Sequence, residues 1–151
     1  MWDGIAIAGF VALVAVAAHG YGTLPDRIAT HWGADGTVGY GSKATLWILP
    51  ALAAFALAII RLTLSSPLAY RFNTLVRVTP QNEPSIRALT QTEMRCVSAI
   101  LTTGFAGIET QIIASANGTL APGFFFVVGA FSIVLLMAVA WYVIAVLGLA
   151  S

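Results

Sequence analysis

The chain has 151 residues, 59% hydrophobic and 9% charged, with a formal net charge of +1. Soluble domains carry about 25% charged residues, so these proportions describe a membrane protein. Seven basic residues against six acidic ones leave no basic patch for nucleic acid, and the lone Cys96 excludes an intrachain disulfide or a cysteine-based zinc site.

A bilayer core about 30 Å thick needs about 20 mostly apolar helical residues, because every backbone polar group must bond internally there. Four stretches meet that need, at about 2–21, 44–60, 96–116 and 124–149. They predict an all-α fold, a single four-helix transmembrane bundle with a long outer loop at 24–43 and a cytoplasmic connection at 61–95. In the first span, Ala15-Val16-Ala17 resembles a cleavage site. The start, Met-Trp-Asp-Gly, lacks the basic residue of a signal peptide, so the span is read as a retained helix. Gly4, Ala8, Ala12, Ala15 and His19 recur at helical spacing and predict a small-residue packing seam that turns His19 into the bundle.

The polar stretch Leu24 to Lys43 follows. Leu24-Pro25 is a helix stop, and Gly33, Gly36, Gly39 and Gly41 permit tight reversals, so a compact crossover loop is expected, with Trp32 and Tyr40 at headgroup level. Its length exceeds what a turn requires, which leans toward function. In the second span Pro50 predicts a bend. The connection beyond it holds Arg61, Arg71, Arg77, Arg87 and Arg95. Val76 to Asn82 reads as a short extended piece ending in a turn, followed by an amphipathic helix from Pro84 that runs into span three. The fourth span is nearly featureless, and apolar sequence continues past Trp141 and Tyr142.

The arginine-rich connection is expected on the cytoplasmic side, which puts both termini inside and the glycine-rich loop outside. On span three, Ser98, Thr102 and Glu109 share a face, and an uncompensated carboxylate in hydrocarbon costs about 2.5 kcal/mol or more, so Glu109 is expected to face inward. His19 and Glu109 lie at similar heights in the outer half. With His31 and Asp35 entering from the loop, they form the candidate constellation. His19, His31, Asp35 and Glu109 are the ligands if a divalent metal binds, although two histidines fall short of most catalytic zinc sets, and no other cofactor is indicated.

The loop, through Leu24, Pro25, Ile28, His31, Gly36, Ser42 and Lys43, is similar to the Leu-Pro-x-x-Ile-Pro-x-His…Gly…Ser-Lys signature of a family of small bacterial membrane proteins of unknown function. That family is related to the immunity proteins that protect producer cells from the sporulation-delaying peptide toxin. A second segment, through Asn73, Val76, Thr79, Pro80 and Asn82, resembles the family's Asn-x-x-Val-x-Thr-Pro-x-Asn motif. The chain departs from the pattern at Ala29, where the second proline stands, at Gly33, where an asparagine is common, and around Gly39, which lacks the acidic residue before Ser-Lys. The resemblance implies a multi-pass protein of the bacterial inner membrane and, as a suggestion, immunity to a secreted peptide.

The leading expectation is a non-enzymatic receptor or immunity-like protein that recognises a peptide or lipid with His31, Trp32, Asp35 and Lys43, above a buried base of His19 and Glu109. Its partners are then the bilayer and a secreted peptide or membrane protein. The alternatives are a metal-dependent membrane enzyme using His31 and Glu109, and an accessory transmembrane subunit whose fourth helix packs on a larger complex.

Overall fold

A computed structural model describes residues 1–33, 35–66 and 75–149. Four helices long and apolar enough to cross a membrane make this a multi-pass membrane protein by length and composition. The first, α1 (Trp2–Thr23), ends where Pro25 forces its predecessor Leu24 into extended backbone, at φ −85° and ψ 155°. α2 (Ile48–Ser65) follows a short 3₁₀ turn, Lys43–Trp47. α3 (Glu83–Ala114) is one unbroken 32-residue helix with Pro84 in its first turn, as expected of a segment that continues into the span. At about 1.5 Å per residue it is longer than the bilayer core, so it must extend beyond it. α4 (Phe124–Leu147) is the most apolar.

α3 is the hub: α1, α2 and α4 all pack on it, and α2 also packs on α1, whereas α2 and α4 share no packed face. The register of α1 on α3 is set by close backbone approach. A Cβ at Gly9 would lie 2.7 Å from Thr102 Oγ1 and 2.9 Å from the Thr103 backbone nitrogen, and Gly20 meets Ile113 in the same parallel register eleven residues later on both helices. The buried face of α1 is therefore Ala6, Gly9, Leu13, Ala17 and Gly20. This corrects the expected seam: Gly4, Ala8, Ala12, Ala15 and His19 lie on the exposed side. α1 is rich in small residues all round, so helical spacing alone offers two rival stripes, and the one whose Gly9 lies opposite Thr102 and Thr103 wins.

Pro50 lies next to the change from 3₁₀ to α geometry rather than in the interior of α2, so the expected bend is not required of it. Pro50 is the third residue of α2, where its backbone nitrogen has no intrahelical acceptor to lose. α4 runs antiparallel to α3, with Thr90 Oγ1 and Tyr142 Oη 2.9 Å apart. The extended piece ends as expected in a turn, which Asn82 closes by accepting from the Thr79 N–H at 2.7 Å. Asn82 Nδ2 also donates to the Leu149 carbonyl at 3.3 Å, so the apolar tail continues α4 to Leu147 and then docks on this turn. At that same end of the bundle Asp3 pairs with Arg61 at 2.9 Å and with Arg95 at 3.6 Å. Arg71 and Asn73 lie outside the described residues.

The all-α expectation is corrected at the other end. The crossover is a β-hairpin, β1 (Arg27–Trp32) paired antiparallel with β2 (Val38–Ser42), not an irregular loop. Ile28, Thr30 and Trp32 alternate on β1, and Val38 and Tyr40 on β2, which is ordinary strand composition around a turn. Gly36 takes φ +83° there, Gly33 N–H donates to Thr37 O at 2.8 Å, and Asp35 accepts from the Thr37 hydroxyl and N–H at 2.8 and 3.1 Å. The register shifts between Ala29 and His31, a bulge that breaks alternation and leaves Ile28 and Ala29 both buried.

Candidate ligand pocket beneath the hairpin

Apolar burial seats the hairpin on the bundle. Ile28 and Leu46 are fully enclosed against Ala116, with Leu24, Ile112 and Ile113 around them. Polar contacts then fix its position. Ala29 N–H donates to the Ala116 carbonyl at 3.0 Å, Trp32 Nε1 to Gly118 O at 3.1 Å, and Tyr40 Oη to Asn117 O at 3.4 Å. All three acceptors belong to the connection between α3 and α4. Trp32 also packs on Phe124 at the start of α4, with ring centroids 6.1 Å apart. Thus Trp32 and Tyr40, expected at headgroup level, act within the structure as ties from hairpin to helices.

Beneath β1 lies an open pocket of about 480 Å³. Thr30, His31 and Trp32 form its wall on the hairpin side, Leu46 and Leu49 its flank, and Glu109 with Ile112 its α3 side, with Phe124 opposite. α2 and α4 are not among the closely packed helix pairs, so among the described residues no helix–helix packing closes the pocket between them. Glu109 lies about 7 Å below the end of α3, five residues from Ala114. It is 1% exposed, and its Oε1 has no hydrogen-bond partner. A buried acceptor left unpaired costs about 1–3 kcal/mol, more when charged, so the apolar interior around Glu109 does not account for a carboxyl group there. The neighbouring Thr110 hydroxyl is turned back to Ala106 O at 2.8 Å and does not relieve it.

The structure thus brings together His31, Trp32 and Glu109 of the expected constellation. His19 faces away from the bundle and does not line the pocket, so the expected meeting of His19 and Glu109 is not formed. Asp35 is exposed at the hairpin tip. The Thr37 hydroxyl and N–H hold its carboxyl below the usual carboxylate range, with the His31 charge adding a smaller effect in the same direction. Lys43 serves the hairpin base, 3.2 Å from Asp26 Oδ1, donating to Leu24 O at 3.2 Å and lying over the Tyr21 ring at 5.0 Å. Among the described residues no three His, Cys, Asp or Glu side chains gather closely enough to hold a metal ion.

Sequence reasoning missed the apolar half of the pocket, Leu46, Leu49, Ile112 and Phe124, because nothing distinguishes these residues from lipid-facing ones until the hairpin is placed over them. It also missed Glu93, 5% exposed with both carboxylate oxygens unpartnered at the opposite end of α3. Its spacing from Ile86 and Thr90 on the buried face was the available signal.

A domain of unknown function (DUF1648) is found at residues 8–54, a region that covers most of α1, the whole hairpin and the first part of α2. No curated protein and no solved structure matches the chain.

Proposed function

We propose that the protein is a non-enzymatic receptor, immunity-like in kind, that recognises an amphipathic peptide or lipid at the hairpin end of its bundle. The observation that carries this reading is the pocket beneath β1, apolar on most sides, with the unpartnered Glu109 in its wall. Ligand sites are mostly apolar cavities with a few placed polar groups, and ionisable residues at membrane depth mark function by default. The uncharacterised domain spans the segment that roofs the pocket, which supports assigning the activity to it.

The orientation belongs to the same proposal. Arg77 lies in the connection between α2 and α3, Arg61 near the end of α2, and Arg87 and Arg95 in the first third or so of α3, all toward the end opposite the hairpin, and the positive-inside bias favours that end as cytoplasmic. The hairpin then faces outward from a bacterial inner membrane. The test is photocrosslinking: a photoreactive residue at Leu49 should capture an amphiphile in intact membranes, and one at Phe55, exposed on α2, serves as the lipid background. Equal capture at both positions would defeat the receptor reading. A second reading, an accessory subunit docking through α4, is supported by Val146 being the one buried residue of that helix. Stoichiometric copurification of a membrane protein, lost on changes to α4 and kept on changes to the hairpin, would establish it.

A further inference from the structure

We infer that the pocket is a site for the primary-ammonium headgroup of an aminophospholipid that arrives sideways from the bilayer. The inference rests on the receptor reading and names its ligand. Three features point to it. The first is charge: Glu109 is an enclosed carboxyl with an unpaired oxygen, among the described residues no Lys or Arg lines the pocket with it, and His31, the one imidazole there, leaves that oxygen unpaired. A ligand ammonium supplies both the missing donor and the missing charge, the strong form of such a bond.

The second is the route. The hairpin is tied to the α3–α4 connection through Ala29, Trp32 and Tyr40, which covers the pocket at the end of the bundle. The unpacked side lies between α2 and α4, two helices long and apolar enough to cross a membrane, so a lipid beside them can approach it. A membrane-borne molecule arriving there enters the pocket whose wall holds Glu109 without lifting the hairpin. The third is the lining. Trp32 and Phe124 contribute aromatic rings to the lining that Glu109 shares, a surface that accommodates an ammonium and its first methylenes, while Ile48 and Leu49 continue the apolar path along α2. A cavity of about 480 Å³ suits a headgroup and the start of its chains better than a folded peptide.

The full chain, purified in detergent and stripped of lipid, is titrated with dioleoyl phosphatidylethanolamine, its N-acetylated derivative and dioleoyl phosphatidylglycerol, and retained lipid is read by native mass spectrometry. Phosphatidylethanolamine should be retained about tenfold better than the other two, as one charge-assisted hydrogen bond predicts. Glu109→Gln should abolish the preference, and Leu49→Trp, which fills the pocket and leaves the carboxylate in place, should reduce retention of all three. Glu93→Gln, remote from the pocket, should behave as wild type. Equal retention of the three lipids, or an unchanged preference in Glu109→Gln, overturns the ammonium assignment while leaving the receptor reading intact. Binding of an apolar peptide through its amino terminus, dependent on Glu109 and not competed by phosphatidylethanolamine, overturns the lipid in favour of a peptide. If no amphiphile of any headgroup is retained and Leu49 captures none in membranes, both readings fail together.

Discussion

Gly9→Ala separates the two candidate faces of α1. The added Cβ would sit 2.7 Å from Thr102 Oγ1, 2.9 Å from Thr103 Cγ2 and 2.9 Å from the Thr103 backbone nitrogen. Carbon contacts are comfortable at about 3.5–4.0 Å, so α1 must retreat from α3 by most of an ångström, and a backbone atom cannot rotate aside. Overpacking of this kind costs about 1–3 kcal/mol. Helix propensity returns about 0.5–1 kcal/mol of that, since alanine loses less backbone entropy than glycine. Net destabilisation of about 1 kcal/mol or more is therefore expected. Gly4→Ala is the counterpart, because its Cβ meets nothing within 4 Å and only the propensity gain remains. The two variants should differ by about 2 kcal/mol in opposite directions when unfolding is followed by far-ultraviolet circular dichroism in detergent titrated with dodecyl sulfate. A Gly4→Ala variant less stable than Gly9→Ala would show that the other stripe packs and that the α1–α3 register is wrong.

Ala29→Pro should loosen the hairpin, because it deletes the donor to the Ala116 carbonyl; a loss of about 1–3 kcal/mol is expected, read as faster hydrogen exchange confined to residues 27–42. Replacing Glu109 by Met should raise the thermal stability of the lipid-stripped protein by about 1 kcal/mol or more, since it removes an unpaired buried acceptor; an unchanged or lower midpoint would mean that the carboxyl is satisfied within the fold. A double-mutant cycle of Thr90→Val with Tyr142→Phe should give a coupling of about 0.6 kcal/mol, typical of hydrogen bonds between membrane helices. Asp35 has a folded pKa below its ordinary 3.8, so its contribution to the hairpin tip is complete above 3.8 and fades as pH falls through the lower folded value. The Thr37 amide resonance should move in that acidic window and stay still in Asp35→Asn.

The spans were legible because the length of an apolar helix is set by the bilayer, a constraint that acts on each segment alone. The burial of Glu109 was legible for a similar reason, since a carboxylate on an apolar helix has few affordable directions. The failures share a different cause. His19 and the small-residue stripe depended on which side of α1 meets α3, and that is decided by Thr102 and Thr103, about ninety residues away in sequence. The hairpin was hidden by its glycines, which suggest a loop, although β-branched and aromatic residues alternate between them. Lys43 looked available for a ligand because its partners, Asp26, Leu24 and Tyr21, converge on it only after the strand pair has formed.

α4 is fastened at both extremities by the two segments that stand out from the apolar sequence. Its first residue, Phe124, rests against Trp32, and just past its last turn the Leu149 carbonyl is gripped by Asn82. Between those fastenings run 24 helical residues, about 36 Å, seated on α3 by Phe131 against Phe105 and by Tyr142 against Thr90. A shift of α4 along α3 would therefore disturb the hairpin side and the Thr79–Asn82 side together, which makes this helix a seam shared by both ends of the bundle.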